Sequence, residues 1–359
     1  MENVKTIPLH DKHLALKAKM APFAGFNMPL QYTSVKDEVL AVRNNCGVFD
    51  VSHMGEFFAT GPEANQFVDY VMSNQFASSP EGKAVYSPLC NLEGGVVDDM
   101  IAYKINNQKI LICVNASNIE KDFHWLNQFK SKFNFELTNH SDKYCLLAVQ
   151  GPKTIEMMKK CGIKFNEACE YYSIQIMDFN FEEIILARTG YTGEDGFEIF
   201  CSQKIAETLW DKLLSIGVTP CGLASRDVLR LEVCYPLYGH ELNDQLSPTE
   251  SGISWTVKMN KSDFVGKSAL SIREKKFQLV KLKLSQGIPR QGYEVLNSDN
   301  NKIGEVTSGT HSVTINQGIC FALLNISLYP KDEKFYIKIR ENKYQADLVK
   351  KPFVNGGHK

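Results

Sequence analysis

No stretch of this 359-residue sequence comes near the ~18 consecutive apolar residues that a membrane-spanning helix needs. Charge of either sign is not in excess: 40 Lys and Arg stand against 41 Asp and Glu, a net of −1. That excludes a strongly basic body built for nucleic acid and leaves room only for a local basic patch. Metal-ligand spacing is missing too. None of the ten cysteines forms a Cys-x-x-Cys pair, and neither His-x-x-x-His nor His-Glu-x-x-His occurs. Low-complexity tracts are absent while 21 Phe and 14 Tyr are present, which argues against disorder. The segment Met1 to His10 has neither the apolar core of a secretory signal nor the Arg- and Ser-rich composition of a transit peptide. The expectation is a cytoplasmic protein whose scattered thiols, such as Cys113 and Cys145 in apolar runs, stay reduced and pack as small hydrophobes.

What is present reads as two or three domains, at ~100–200 residues each. Ser34 and Asp37 have the spacing of a helix N-cap and its returning carboxylate, Val35, Val39 and Val42 follow at helical spacing, and Gly47 is placed to close the segment. Gly61-Pro62 opens a helix that puts Phe67, Val68, Val71 and Met72 on one face. Ile101, Tyr103 and Ile105 alternate with Ala102 and Lys104 as in a strand, Asn106-Asn107-Gln108 turns, and Ile110, Ile112 and Val114 return. A helix from about Asn118 is expected to bury Ile119, Phe123 and Leu126, and another spans Ile205 to Ile216, ended by Gly217. The pattern changes near residues 272–277. Beyond it, short alternating runs (Val280/Leu282/Leu284, Ile319/Phe321/Leu323, Phe335/Ile337/Ile339) separated by turn residues predict a small all-β sandwich or barrel. The domain division expected is 1–275 and 276–359.

Three motifs can carry chemistry. Gly94-Gly-Val-Val-Asp98-Asp99 runs two carboxylates into an apolar strand. Neighbours on a strand point to opposite faces, so one faces inward or into a cleft and the other out. A carboxylate in such a sheet is either paired, as a structural Asp, or raised in pKa, as a general base or an anchor for an amine. The stretch Arg188-Thr-Gly-Tyr-Thr-Gly-Glu-Asp-Gly-Phe-Glu198 fits neither the phosphate loop nor the dinucleotide fingerprint. It reads as a compact loop on a sheet, either a plain turn or one whose glycines let a ligand approach. Gly222 to Glu232 reads as a helix with Arg226 and Arg230 four residues apart. They form either a solvated charged face or a guanidinium turned inward on a carboxylate.

These motifs, with Phe49-Asp-Val-Ser-His-Met54-Gly, Val149-Gln-Gly-Pro152, Tyr238-Gly-His-Glu241, Trp255 and Phe264-Val-Gly-Lys267 in order, closely resemble the aminomethyltransferase (T-protein) family of the glycine cleavage system. The resemblance runs from Pro8-Leu9 to Lys351-Pro-Phe353. It implies an α+β fold of three domains in a cloverleaf around a central folate cavity: two interleaved α+β domains and a C-terminal β-barrel. It implies a reaction in which the aminomethyl group on the lipoyl arm of H-protein passes its carbon to tetrahydrofolate. The products are 5,10-methylenetetrahydrofolate, ammonia and dihydrolipoyl H-protein. Tetrahydrofolate is then a co-substrate and lipoylated H-protein the partner, and no metal, nucleic acid or membrane takes part.

By the same resemblance, Asp99 matches the catalytic carboxylate near the N5/N10 edge of folate and Glu198 the residue gripping the pterin. Arg226 matches an arginine that orients either folate or Asp99. Met54, Tyr86, Tyr103, Asn115 and Tyr191 match positions lining the cavity, joined by Trp255. In some relatives late residues cover the folate, which leaves the role of His358 open in this shorter tail. Related folate-linked demethylases and a non-catalytic folate-binding adaptor are the alternatives. The retention of Asp99, Glu198 and Arg226 argues against the adaptor.

Overall fold

A computed structural model describes residues 4–357. Two antiparallel-dominated sheets face each other. The first orders Ala84–Cys90, Val96–Asn106, Lys109–Val114, Gly55–Thr60 and Glu136–Asn139. The second orders Ile174–Phe179, Glu182–Ala187, Gly196–Cys201, Cys145–Gln150, Gly47–Asp50 and Thr219–Pro220, the last two paired parallel. The chain crosses between them early: Gly47–Asp50 and Gly55–Thr60 are neighbours in sequence but belong to different sheets. Between the sheets lies one apolar core, with Phe58, Tyr103 and Leu111 from the first against Leu146, Ile185 and Phe200 from the second. Helices cover the outer faces, Ala64–Val71 and Ile119–Asn127 on the first sheet and Thr154–Lys160 and Gln203–Ser215 on the second.

Local chemistry explains the helices. Ser34 caps Val35–Asn44 by accepting from the Asp37 N–H, and its hydroxyl donates back to the Asp37 carboxylate at 2.8 Å. The helix stops at Asn44, short of Gly47, which instead opens a strand. Phe67, Val68, Val71 and Met72 are all buried, as the spacing requires. In the helix Ile119–Asn127 the residues wholly enclosed are Leu126 and Asp122, with Ile119 and Phe123 half-buried. The strand alternation at 101–105 does not mark a solvent face. Both faces are covered, and Lys104 is buried with its ammonium on the carbonyls of Ala77 and Ser79.

The C-terminal strands close into a barrel in the order Phe277–Leu284, Gln317–Asn325, Lys302–Ser312, Glu294–Leu296, Phe335–Ile339 and Asn342–Leu348. The barrel is filled by Leu282, Val306, Ala322, Phe335 and Ile337. It is locked to the rest by the helix Leu223–Glu232. Arg230 donates to Glu241 at 3.1 Å and to Ser308 of the barrel at 2.8 Å. Glu232 accepts from Ser312 at 2.7 Å and from Thr314, and is paired with Arg43 at 2.8 Å. That helix starts at Gly222, where a Cβ would stand 2.3 Å from the Leu30 backbone. The close approach fixes where the helix begins, and so which of its side chains look into the space between sheets and barrel.

No helix among the described residues is long and apolar enough to cross a membrane. All ten cysteines are free thiols, and eight of them are buried.

Candidate active site

A cavity of about 1390 Å³ opens where both sheets, the Leu223–Glu232 helix and the barrel meet. The residues that the resemblance assigns to the folate site all line it: Met54, Tyr86, Asp99, Tyr103, Asn115, Tyr191, Glu198, Arg226 and Trp255; His358 lies outside the described residues.

The first wall is built on the strand Val96–Asn106. Asp99 is half-buried and faces the cavity. Its Oδ2 accepts from the Tyr86 hydroxyl at 3.0 Å and its Oδ1 from the Asn115 amide at 2.8 Å. Sheet register delivers both donors. Tyr86 pairs with Ile101 on the neighbouring strand, and Met100 pairs with Val114 on the other, which sets Asn115 beside Asp99. Desolvation, then the charge of Asp98, raises the Asp99 carboxyl well above the ordinary carboxylate range, while the Tyr86 and Asn115 hydrogen bonds pull it down. The Tyr86 ring stacks on Trp255 at 5.9 Å, and Trp255 is 59% exposed, so this wall reaches the surface.

Asp98 corrects an expectation. It does take the opposite face from Asp99, but that face is not solvent. Asp98 is fully buried and accepts from the Asn115 backbone N–H at 3.1 Å, the Asn115 amide at 2.8 Å and the Asn118 amide at 2.7 Å. The physical reason is the helix Ile119–Asn127, which covers this side of the sheet.

The second wall comes from the other sheet. Glu198 pairs across its strand with Ala148 on one side and Ala187 on the other, and these small neighbours leave room for its carboxylate. Its Oε2 accepts from Thr189 at 2.5 Å and from Tyr103 at 3.5 Å, and its Oε1 accepts nothing among the described residues. Arg226 lies 5.1 Å from the Tyr191 ring centroid and 5.9 Å from that of Phe49, and its Nη1 is buried without a partner among the described residues. Burial lowers its pKa and the charge of Glu198 opposes this. Arg226 makes no hydrogen bond to Asp99 among the described residues. Arg226 and Arg230 are not a solvated face either: Arg230 is 1% exposed and tied into the barrel seam.

The glycines of the 188–198 loop serve protein packing. A Cβ on Gly190 or Gly196 would come within 2.4 Å of the Gln150 side chain, and one on Gly193 within 2.3 Å of Val233. Tight contact with the chain itself requires glycine there, and Gly190 also lines the cavity.

Two family models match this chain: the GCVT N-terminal domain over residues 9–261 and the glycine cleavage T-protein C-terminal barrel domain over 278–355. The chain belongs to the aminomethyltransferase (T-protein) family of the glycine cleavage system. It is 45% identical to the aminomethyltransferase of Thermosipho melanesiensis over 99% of each chain, and 45% identical to that of Thermotoga maritima over 98% of each. Its fold matches the crystal structure of glycine cleavage system aminomethyltransferase T from Bartonella henselae with a TM-score of 0.93, at 29% identity over 99% of both chains.

Within this aminomethyltransferase fold, the structure adds residues that motif reading passed over. His53 is 4% exposed, lines the cavity, and has Nδ1 unpartnered. Burial, then the Arg226 charge, lowers its pKa to about 4, so it stands neutral beside the arginine. It sits one residue before Met54 inside a quoted motif, and a lone His there was the available signal. Tyr172, Tyr235 and His240 also line the cavity. They reach it from loops, where periodicity gives no signal, although His240 lies inside the Tyr238-Gly-His-Glu241 motif. The C-terminal tail contributes Pro352. No group of three or more His, Cys, Asp or Glu among the described residues could hold a metal.

Proposed function

We propose that this aminomethyltransferase binds tetrahydrofolate in the central cavity and receives its one-carbon unit from the lipoyl arm of H-protein. One observation carries the reading: Asp99 from one sheet, Glu198 from the other and Arg226 from the helix Leu223–Glu232 converge on a single cavity with an aromatic lining. A pterin presents adjacent N–H groups at one edge and a reacting nitrogen at the other. The Glu198 carboxylate, with Oε1 open, suits the first edge as a side-by-side acceptor. The unpartnered Nη1 of Arg226 is a donor suited to the neighbouring ring carbonyl. Tyr86, Tyr191 and Met54 supply flat and polarisable surface.

The chemistry assigns Asp99 its part. Two C–N bonds form to the transferred carbon, and its bonds to ammonia and to sulfur break. The two folate N–H protons end on the thiol and on the departing ammonia. A carboxylate with a raised pKa, held by Tyr86 and Asn115, can attract the aminomethyl ammonium and then take and return a proton near neutral pH. Dependence on the donor tests this. Aminomethylated H-protein should give ammonia and methylenetetrahydrofolate at rates that fall with ionic strength, and free aminomethyl-lipoate at much lower, nearly salt-insensitive rates. Equal use of both donors without a salt effect would remove H-protein from the mechanism.

A further inference from the structure

The guanidinium of Arg226 is aimed by its backbone rather than by a hydrogen-bonding neighbour. Its Nη1 has no partner among the described residues, and the group lies near only the rings of Tyr191 and Phe49. Where it enters the cavity therefore depends on where the helix Leu223–Glu232 starts. The residue at that start is Gly222, which has no side chain to cap the helix. A glycine is required there, because a Cβ would stand 2.3 Å from the Leu30 backbone.

The missing cap comes from another helix. Glu38, on Val35–Asn44, is fully buried and does not line the cavity. Its Oε2 accepts from the Gly222 N–H at 2.9 Å and from the Ser225 hydroxyl at 2.9 Å. Its Oε1 accepts from the Tyr32 N–H at 2.6 Å and from the Thr33 N–H at 3.2 Å. A carboxylate at a helix N-terminus is favoured, and its burial is offset only by such a full set of donors. The Gly222 peptide passes the constraint on, since its carbonyl accepts from the Arg226 N–H at 3.2 Å. Two hydrogen bonds thus connect Glu38 to the Arg226 backbone. The far end of the helix is gripped from the same neighbour: Arg43 donates to the Leu229 carbonyl at 3.2 Å and to Glu232 at 2.8 Å. Arg226 lies on the span between the two grips.

We propose that Glu38 is a positioning residue of the reaction: by capping the helix Leu223–Glu232 from outside, it sets where Arg226 enters the cavity, and through Arg226 the affinity for tetrahydrofolate. The proposal rests on the reading of Arg226 as a donor to the pterin. A cap that only stabilised its helix would need one oxygen. Here the second oxygen holds the Tyr32–Thr33 turn, which follows directly on the Leu30 backbone packed against Gly222. The turn and the helix start are therefore fixed relative to each other.

Three variants and one double variant test the proposal. Glu38→Gln offers one acceptor oxygen in place of two. Whichever way the amide turns, its N–H₂ faces two donors, and the Leu30 contact carries the displacement to Gly222. It should raise KM for tetrahydrofolate about tenfold while kcat, which depends on Asp99 in the opposite wall, stays within about threefold. Ser34→Ala removes the cap of Val35–Asn44 without touching Gly222, so it should lower Tm and leave that KM at the parental value. Arg226→Met deletes the donor itself. Combining it with Glu38→Gln should leave tetrahydrofolate affinity within about twofold of Arg226→Met alone, since two changes acting through one contact do not add. A parental KM in Glu38→Gln would overturn the proposal. So would a further tenfold loss in the double variant, or an equal rise in KM from Ser34→Ala. Should Glu38→Gln not fold, Ser225→Ala decides, because it keeps the carboxylate and drops one donor: a KM raised about threefold supports the proposal and a parental KM overturns it. Parental tetrahydrofolate affinity in Arg226→Met would instead sink the underlying reading of Arg226, so the single variants tell the two failures apart.

Discussion

The Tyr86 hydroxyl donates to Asp99 Oδ2 at 3.0 Å, and the same ring is stacked on the exposed indole of Trp255. The bond favours the charged form of Asp99 against desolvation and the charge of Asp98. Tyr86→Phe keeps the ring and deletes the donor. The acid limb of kcat/KM should then move to higher pH, because the carboxyl holds its proton longer. A pH–rate profile over pH 5–9 checks it, and a limb moving to lower pH would contradict the assignment.

Asp98→Asn should do the opposite. Removing the neighbouring negative charge lets Asp99 ionise more readily, so the acid limb moves to lower pH. The same change turns an amide N–H₂ toward Asn115 and Asn118, which already donate to that position. A lost or clashing buried hydrogen bond costs about 1–3 kcal/mol, visible as a lower denaturation midpoint. Asp99→Asn should fold and bind tetrahydrofolate yet lose most turnover. Equal kinetic losses from Asp98→Asn and Asp99→Asn, at equal stability, would deny Asp99 its separate role.

Glu198→Gln replaces half of the acceptor with a donor and leaves one pterin hydrogen unpaired. Losing a hydrogen bond to a charged group costs about 1.5–3 kcal/mol, or tenfold and more in affinity. Titration calorimetry with tetrahydrofolate measures this directly, and parental affinity would remove the pterin from Glu198.

Glu56 offers a stability test away from the chemistry. It is fully buried, neither carboxylate oxygen has a partner among the described residues, and desolvation raises it well above the ordinary range. A folded-state pKa above the unfolded one favours folding at low pH, and that contribution is lost as pH rises. Glu56→Met should therefore raise Tm more at pH 8 than at pH 5, by several degrees at the higher pH. An equal gain at both values would mean the carboxyl finds a partner in solution.

The sequence made some of this legible and hid the rest for identifiable reasons. Apolar periodicity located the helices around Phe67 and Leu209 and the barrel strands, because one-sided burial leaves a repeat. It failed where both sides of an element are covered. Lys104 and Asp98 look like the outward half of an alternating strand, yet a helix or loop covers each. Asp122 interrupts an otherwise apolar helix face for the same reason. Motif resemblance named Asp99, Glu198 and Arg226 together, but their meeting in one cavity depends on how two sheets and a helix pack, which spacing does not encode.

The helix Leu223–Glu232 sends Arg226 into the cavity while Arg230 and Glu232 grip Ser308, Ser312 and Thr314 of the barrel. Of the residues lining the cavity, Thr310, His311, Val313, Phe321 and Pro352 follow Ser308 in the chain. A nascent chain paused near residue 275 thus carries two charged side chains made for a seam that does not yet exist. Arg43 and Glu241 hold that helix from within the first 275 residues, and Ser308, Ser312 and Thr314 complete its anchorage only once the barrel strands are made.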